Sequence, residues 1–286
     1  MILPASYSSG FAPRDGQPLY PELWRGCDVC LSPSLGPTGS TLRDWSGYGR
    51  HGVLTNGPTW QLNRGNYSVD IDATDDKIVL PPISFTTSFS LSIWALSRRS
   101  STISVNSPDI FSTRGLGVSG LGLHGFTLGR NGSTTANLIV AYVEQTSGSF
   151  FAPIYDSQFV ENQLAHWVML FDRPNGTVSL YKNGVLLTPS STTSSGSLAN
   201  QDIGSATEAV IGNRPNTTLR PLDGYFDDVR IYRRMISVSE IKILGLRRGI
   251  AYELAPRRRS RVSVLASMRY NIFTGNVGSL EVIGAS

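Results

Sequence analysis

Two adjacent carboxylates, Asp227 and Asp228, interrupt the apolar run GYFDDVRIY at residues 224–232. Strand alternation places Asp227 on the side of Val229 and Ile231, which reads as the core face. A carboxylate there needs hydrogen bonds or a counter-ion. A calcium ion is one candidate partner, because it takes six to eight oxygen ligands and the turn from Asp44 to Gly49 could supply several. The other is that Asp44 and Asp227 accept backbone amides at strand ends. Asp70, Asp72, Asp75 and Asp76 surround a turn without the spacing of a calcium-binding helix-loop-helix, so they read as side chains bonded to their own backbone.

Cys27 and Cys30 have the spacing of a redox or zinc pair, but the chain has no second pair, and His51, His124 and His166 lie far off without ligand spacing. On a regular strand, residues three apart point to opposite faces, so the two thiols are not expected to share a site. The glycine-rich stretch from Gly115 to Gly122 lacks the Lys-Ser/Thr ending and following helix of a phosphate-binding loop and reads as a rim loop.

Charge is unevenly spread. Residues 230–269 hold ten Arg and one Lys against Glu240 and Glu253, a net +9, which leaves the remainder at −5 for a total of +4. Guanidinium suits bidentate pairing with carboxylates and phosphates. No aromatic residues interleave the arginines as single-strand binding requires, so an acidic protein surface ranks above nucleic acid as partner. Arg247, Arg248, Arg257, Arg258, Arg259 and Arg261 are the expected anchors. No apolar stretch approaches the ~20 residues needed to span a bilayer, and residues 1–20 lack the charged start and apolar core of a signal peptide. No membrane partner is expected.

The elements that must position these groups are short strands. In FSLSIW (89–94), Phe89, Leu91 and Ile93 share one face. Residues 167–171, 178–181 and 185–187, separated by Pro174-Asn175-Gly176 and Asn183-Gly184, predict a three-stranded meander, since Asn-Gly supplies the positive φ of tight hairpins. Ser237 and Glu240 form a capping box ahead of a short helix through Ile241, Ile243 and Leu244 that ends near Gly245 or Gly249. These signals divide the chain into an extended, proline-rich segment (1–22), a sandwich (23–245) and an arginine-rich arm (246–286). Strand-like pieces at 262–265, 270–273 and 280–283 could extend this sandwich or a neighbour's. Polar or basic termini bury little apolar surface, so both are expected to be held by neighbouring subunits.

Read in order, residues 42–60 (LRDWSGYGRHGVLTNGPTW), 69–81 (VDIDATDDKIVLP), 89–94, 166–172 (HWVMLFD), 178–187, 211–214 (IGNR), 224–232 and 237–241 resemble the laminin-G-like domains of the concanavalin A-like superfamily. The resemblance implies an all-β, two-sheet antiparallel jelly roll of about a dozen strands with one short C-terminal helix. It also implies rim loops or a groove for ligands, a structural calcium near such loops but no required cofactor, and usually no catalysis. Residues 23–26 (LWRG), 31–38 and the arginine-rich arm look more like the viral, phage-particle and environmental-bacterial members than the animal ones. Glycosidases on related folds cluster acids as Glu-x-Asp-x-x-Glu so that one donates a proton and one attacks. Here Glu144, Asp109, Asp156 and Asp172 are isolated in sequence, and no enzyme activity is expected.

The expectation is a non-catalytic structural or decoration protein of a large assembly of capsid or tail type. It would be oligomeric, sit on the virion surface, and be anchored by its termini. The alternative is a free carbohydrate-binding or adhesion module, extracellular or on a bacterial surface. Cell-surface glycans would then meet exposed loop aromatics such as Tyr48, Phe150 and Phe151.

Overall fold

The computed structural model describes residues 18–254, apart from 64, 73, 99–107, 117–122, 131–138, 146–147, 159, 205–207 and 216–219. In chain order its strands are β1 (Cys27–Leu31), β2 (Thr41–Leu42), β3 (Gly52–Thr55), β4 (Thr59–Asn63), β5 (Asn66–Ile71), β6 (Lys77–Leu80), β7 (Ser84–Phe85), β8 (Phe89–Ser97), β9 (Asp109–Ser112) and β10 (Gly115–Leu116). There follow β11 (Leu123–Arg130), β12 (Ile139–Glu144), β13 (Phe150–Tyr155), β14 (Ala165–Asp172), β15 (Thr177–Lys182), β16 (Val185–Leu186), β17 (Ser191–Ser195), β18 (Ile203–Gly204), β19 (Ala209–Ile211) and β20 (Gly224–Tyr232). Among the described residues one α-helix, α1 (Val238–Leu244), comes after them, followed by a 3-10 turn at Ile250–Tyr252.

Two antiparallel sheets form a sandwich. The smaller runs β16-β15-β14-β8-β20-β5-β4, with β1 also paired to β20; the larger runs β17-β13-β12-β11-β9-β19-β6-β3-β2, with β10 on β11. Strand alternation decides what lies between them. Phe89, Leu91 and Ile93 of β8 stand opposite Phe171, Met169 and Trp167 of β14, and all six point into the core. Phe126 and Leu128 of β11 and Ala141 and Val143 of β12 meet them from the larger sheet. Phe89 and Phe126 pack with centroids 4.5 Å apart, flanked by Phe85, Phe111 and Phe171. Each such ring removed from water contributes about 2–3 kcal/mol. The expected meander is present as β14-β15-β16.

The outer face of the smaller sheet is covered as well. Val168, Leu170, Tyr181 and Tyr232 from that face pack under Leu23, Ile241, Leu244 and Ile250. The Ser237 hydroxyl accepts from the Glu240 amide while the Glu240 carboxylate accepts from the Ser237 amide, and Gly245 caps the end of α1, as the motif predicts. The chain then folds back past residue 245. Trp24 Nε1 donates to Ala251 O at 3.0 Å, the Leu19 amide donates to Glu253 O at 2.6 Å, and Pro18 bridges Leu254. The described residues 18–22 and 246–254 are therefore joined to the sandwich on both sides of the span 23–245.

Bulges at three strands redirect side chains that regular alternation would send elsewhere. In β1 the register slips between Cys27 and Val29, in β20 between Asp227 and Arg230, and in the β9–β11 pairing between Phe111 and Asp109. One extra residue on the bulged strand turns two neighbours toward the same side.

Candidate functional site

The bulge between β9 and β11 builds the site. Ile110 and Phe111 both go inward, so Asp109 turns to the outer face of the larger sheet and lies beside Gly129. A Cβ at Gly129 would stand 2.9 Å from both Asp109 Oδ1 and Pro108 O, so only glycine allows this approach. Asp109 binds Arg214 through Nε at 2.7 Å and Nη2 at 3.3 Å, and both side chains are buried. Burial raises the Asp109 pKa, and Arg214, Arg220 and Arg114 oppose that rise. The Asn213 carboxamide oxygen accepts the Arg214 and Arg220 amides, which sets the loop carrying both guanidiniums.

Two strands further along, alternation in β12 sends Ile139, Ala141 and Val143 inward and Val140, Tyr142 and Glu144 outward. Arg114 pairs with Glu144 at 2.7 Å and lays its guanidinium 4.0 Å above the Tyr142 ring. Tyr142 in turn stacks on Phe150, centroids 5.4 Å apart and planes within 13°. Desolvation is the main reason the Tyr142 phenol has a raised pKa; the carboxylate of Glu144 adds to it and Arg114 opposes it. Asp109, Arg114, Thr127, Tyr142, Phe150, Thr193, Arg214 and Arg220 thus line a groove of about 360 Å³ floored by Val140, Ala152 and Ile154. An aromatic wall beside a few convergent polar groups is the usual form of a small-ligand site.

The structure redistributes the residues singled out by sequence. Phe150 faces this groove, but Phe151 stands opposite Val143 and packs on the core, because adjacent strand residues face opposite ways. Tyr48 is 61% exposed in the turn between β2 and β3, at the edge of the larger sheet far from β13, so the three aromatics do not share a site. Asp109 and Glu144, isolated in sequence, face outward from the same sheet, each held by an arginine. Sequence reading missed Arg114, Tyr142, Arg214 and Arg220. The alternation of IVAYVE carried a signal for Tyr142 and Glu144, whereas the arginines enter from loops.

The proposed calcium ligands are otherwise engaged. Asp44 accepts from the amides of Cys30, Ser46 and Arg50 and from the Ser46 hydroxyl, all at 2.8–2.9 Å. Those hydrogens occupy the lone pairs that a cation would need. Asp227 does not face the inter-sheet core: Phe226 and Val229 both do, and the bulge, with Asp228 at φ 41°, sends both Asp227 and Asp228 outward. Asp227 accepts the amides of Ser34 and Asp228, and Asp228 accepts the Gly249 amide and Arg230 Nε. Among the described residues no group of three or more His, Cys, Asp or Glu could hold a metal ion, so the residues present do not fit a calcium site. Asp72 and Asp76 accept backbone amides within their turn, as their spacing suggests.

Of the expected anchors, Arg248 is turned inward. It bonds Ser68 Oγ at 3.0 Å and Asn63 O at 2.8 Å and faces Asp227 at 3.4 Å. It clasps residues 246–254 to the sandwich and is not available to a partner. Arg247 is exposed and paired with Glu253, and Arg257, Arg258, Arg259 and Arg261 lie outside the described residues, as do the strand-like pieces beyond them. Cys27 and Cys30 are free thiols that both join the outer cluster, because the β1 bulge cancels their alternation. Cys30 Sγ lies 2.8 Å from the Tyr252 hydroxyl. Within this cluster Arg230 is buried between Trp24 and Tyr252, 4.9 and 5.1 Å from their rings, with Asp228 as its counter-ion.

Solved structures with this fold include the binding domain of Paraclostridial Mosquitocidal Protein 1, at TM-score 0.57 and 14% identity over 78% of this chain and 52% of that one. The binding domain of botulinum neurotoxin serotype D, in complex with N-acetylneuraminic acid, matches at TM-score 0.55 and 17% identity over 77% and 50%. Domain 4 of AbnA, an extracellular arabinanase from Geobacillus stearothermophilus in complex with arabinotriose, matches at TM-score 0.53 and 17% identity over 77% and 98%. The chain spans about half the length of the toxin binding domains. At these identities the likeness establishes the fold alone. No curated protein matches the chain. The family model described as the concanavalin A-like lectin/glucanases superfamily matches residues 72–242, and with this sandwich the chain belongs to that superfamily.

Proposed function

We propose that the chain is a non-catalytic, lectin-like domain that binds a saccharide in the groove on the outer face of its larger sheet. The observation that carries this is the stacked Tyr142–Phe150 wall with Arg114, Arg214, Arg220, Thr127 and Thr193 around it. Arg114 and Phe150 already engage the faces of Tyr142, so the apolar surface offered to the C–H face of a sugar ring is that of Phe150, and the polar groups around it suit hydroxyls. The arabinotriose and N-acetylneuraminic acid complexes of structural neighbours are consistent with such a ligand. The non-catalytic reading is supported by the engagement of the two described carboxylates beside the groove: Asp109 and Glu144 are each bound by an arginine, whereas glycoside hydrolysis needs one carboxyl free to give a proton and a second free to attack or activate water. A glycan array probed with the purified chain tests the proposal. Binding that Phe150→Ala removes is expected, and an array without any binder overturns it.

A second reading, a structural or decoration subunit of a phage or virus particle, is favoured by the bridge between Pro18 and Leu254. It brings Pro18 and Leu254, the two ends of the described residues, together at one place on the sandwich, and the arginine-rich sequence that follows Leu254 suits an acidic neighbour. Deleting residues 255–286 is expected to leave the sandwich folded and to abolish incorporation into a particle. Unchanged incorporation overturns this reading.

A further inference from the structure

We infer that the cavity between Trp24, Trp45 and Tyr252 is an interface hot spot that takes one large apolar side chain from an acidic segment of a partner protein. These three residues pack on the cluster outside the smaller sheet, away from the groove on the larger one, so the inference does not depend on the saccharide reading. The cavity encloses about 180 Å³ and is lined by Pro18, Trp24, Leu35, Trp45, Tyr252 and Leu254. Trp24 and Trp45 both stand edge-on to Tyr252, with centroids 5.2 and 6.3 Å away and planes at 78° and 76°. The indole of Trp24 is held by Ala251 O, and the hydroxyl of Tyr252 lies against Cys30 Sγ, so these walls are in place before a partner arrives. Leu35 and Leu254 remain 46% and 53% exposed. Fixed aromatic walls with an open apolar rim are the kind of pocket that receives an anchor residue at a protein interface.

Charge selects the partner. Three aromatic rings set edge to face also suit an ammonium group, but two guanidiniums already lie against them. Arg43 sits 4.5 Å over Trp45, and Arg230 lies 4.9 and 5.1 Å from the rings of Trp24 and Tyr252. Arg230 is fully buried; Asp228 accepts from its Nε, while Nη1 and Nη2 have no hydrogen-bond partner among the described residues. A further cation at these rings is repelled, whereas a carboxylate beside them is attracted. Arg43 is exposed and has no carboxylate partner among the described residues. Glu22 and Arg25 flank Trp24 with opposite charges, and Glu253 is paired with Arg247. The sequence after Leu254 then adds Arg257, Arg258, Arg259 and Arg261 within seven residues. An apolar cavity among uncompensated arginines matches an apolar side chain flanked by carboxylates. A neutral apolar group would leave the arginines unmatched, and an acidic surface without an anchor would leave the cavity unfilled.

The experiment is fluorescence anisotropy of labelled peptides on the purified full chain. The parent probe is one phenylalanine flanked on both sides by glutamates. One companion has alanine for the phenylalanine, and the other has glutamines for the glutamates. The parent should bind about tenfold more tightly than either companion, and its advantage over the glutamine form should shrink as salt rises. Leu35→Glu, at an exposed position of the lining, should weaken the parent about tenfold with the urea midpoint unchanged. Arg43→Gln should reduce only the advantage over the glutamine form. Equal binding of the phenylalanine and alanine peptides overturns the inference, because charge alone is then recognised. Equal binding of the glutamate and glutamine peptides overturns it as well, and so does parent binding that survives Leu35→Glu. Absence of peptide binding overturns it, and binding to vesicles of anionic lipid in that case would assign the cavity to a membrane surface. Each of these outcomes is separate from the glycan array and from particle incorporation.

Discussion

The guanidinium of Arg248 lies 3.4 Å from the carboxylate of Asp227, with side-chain exposures of 6% and 0%. The pair joins the segment after α1 to the bulge of β20, and the Gly249 amide repeats the join one residue later at Asp228. Residues that composition assigns to a basic arm are thus part of the sandwich wall. The outward turn of two adjacent aspartates at a bulge is what receives them.

Removing one member of such a pair leaves the other charge buried. Arg248→Ala also frees Ser68 Oγ and Asn63 O, so it should destabilise by about 3–5 kcal/mol. Arg247→Ala, one residue away but exposed, should change stability by no more than about 0.5 kcal/mol. Urea unfolding of both variants checks the contrast. Equal effects would mean that residues 246–254 do not belong to the fold.

Asp227 also links stability to pH. Burial first, then the charge of Asp228, push its pKa to about 7 against an ordinary 3.8, with Arg248 and the amides of Asp228 and Ser34 opposing. Between about pH 4 and 7 the folded chain holds a proton that the unfolded chain has released, so this group's contribution falls as pH rises through that window. His166, buried and pushed down to about 3, acts with the opposite sign over part of the same range. The useful measurement is therefore a difference. From pH 4.5 to 7.5 the urea midpoint of the wild type should decline relative to that of Asp227→Asn, and parallel curves would show Asp227 ionised throughout.

Periodicity made the inter-sheet core legible, because Phe89, Leu91 and Ile93 and the β14-β15-β16 meander obey a strict two-residue repeat. The capping box at Ser237 was legible because its partners are three residues apart. Bulges were not. A single inserted residue leaves composition and polarity pattern almost unchanged, yet it decides that Asp227 leaves the core face, that Asp109 enters the groove, and that Cys27 and Cys30 share a side. The groove arginines were hidden for another reason: Arg114, Arg214 and Arg220 come from three loop positions and meet only through the pairing of β9, β11 and β19.

Phe150 and Phe151 separate binding from stability. Phe151→Ala removes a ring packed on the core and should cost about 3 kcal/mol. Phe150→Ala loses mainly its stack on Tyr142, about 1 kcal/mol, but removes half of the groove's aromatic wall. Saccharide binding measured on the folded fraction should therefore fall with Phe150→Ala and persist with Phe151→Ala. The reverse result would move the ligand away from this face.

The two thiols are the last case in which fold overrides motif. Cys27 and Cys30 are both buried under Leu23, Ile250 and Ala251, and burial with the neighbouring Cys30 raises the Cys27 pKa well above its ordinary value. Reaction with a thiol reagent requires the thiolate and access to it. The native chain should therefore resist a chromogenic disulfide reagent, and the denatured chain should titrate both thiols. Cys30→Ala removes the contact with the Tyr252 hydroxyl and should destabilise by about 1 kcal/mol without altering saccharide binding. Rapid modification of the native chain would mean that residues 250–252 lift from the sandwich, and it would then be accompanied by the stability loss expected of Arg248→Ala.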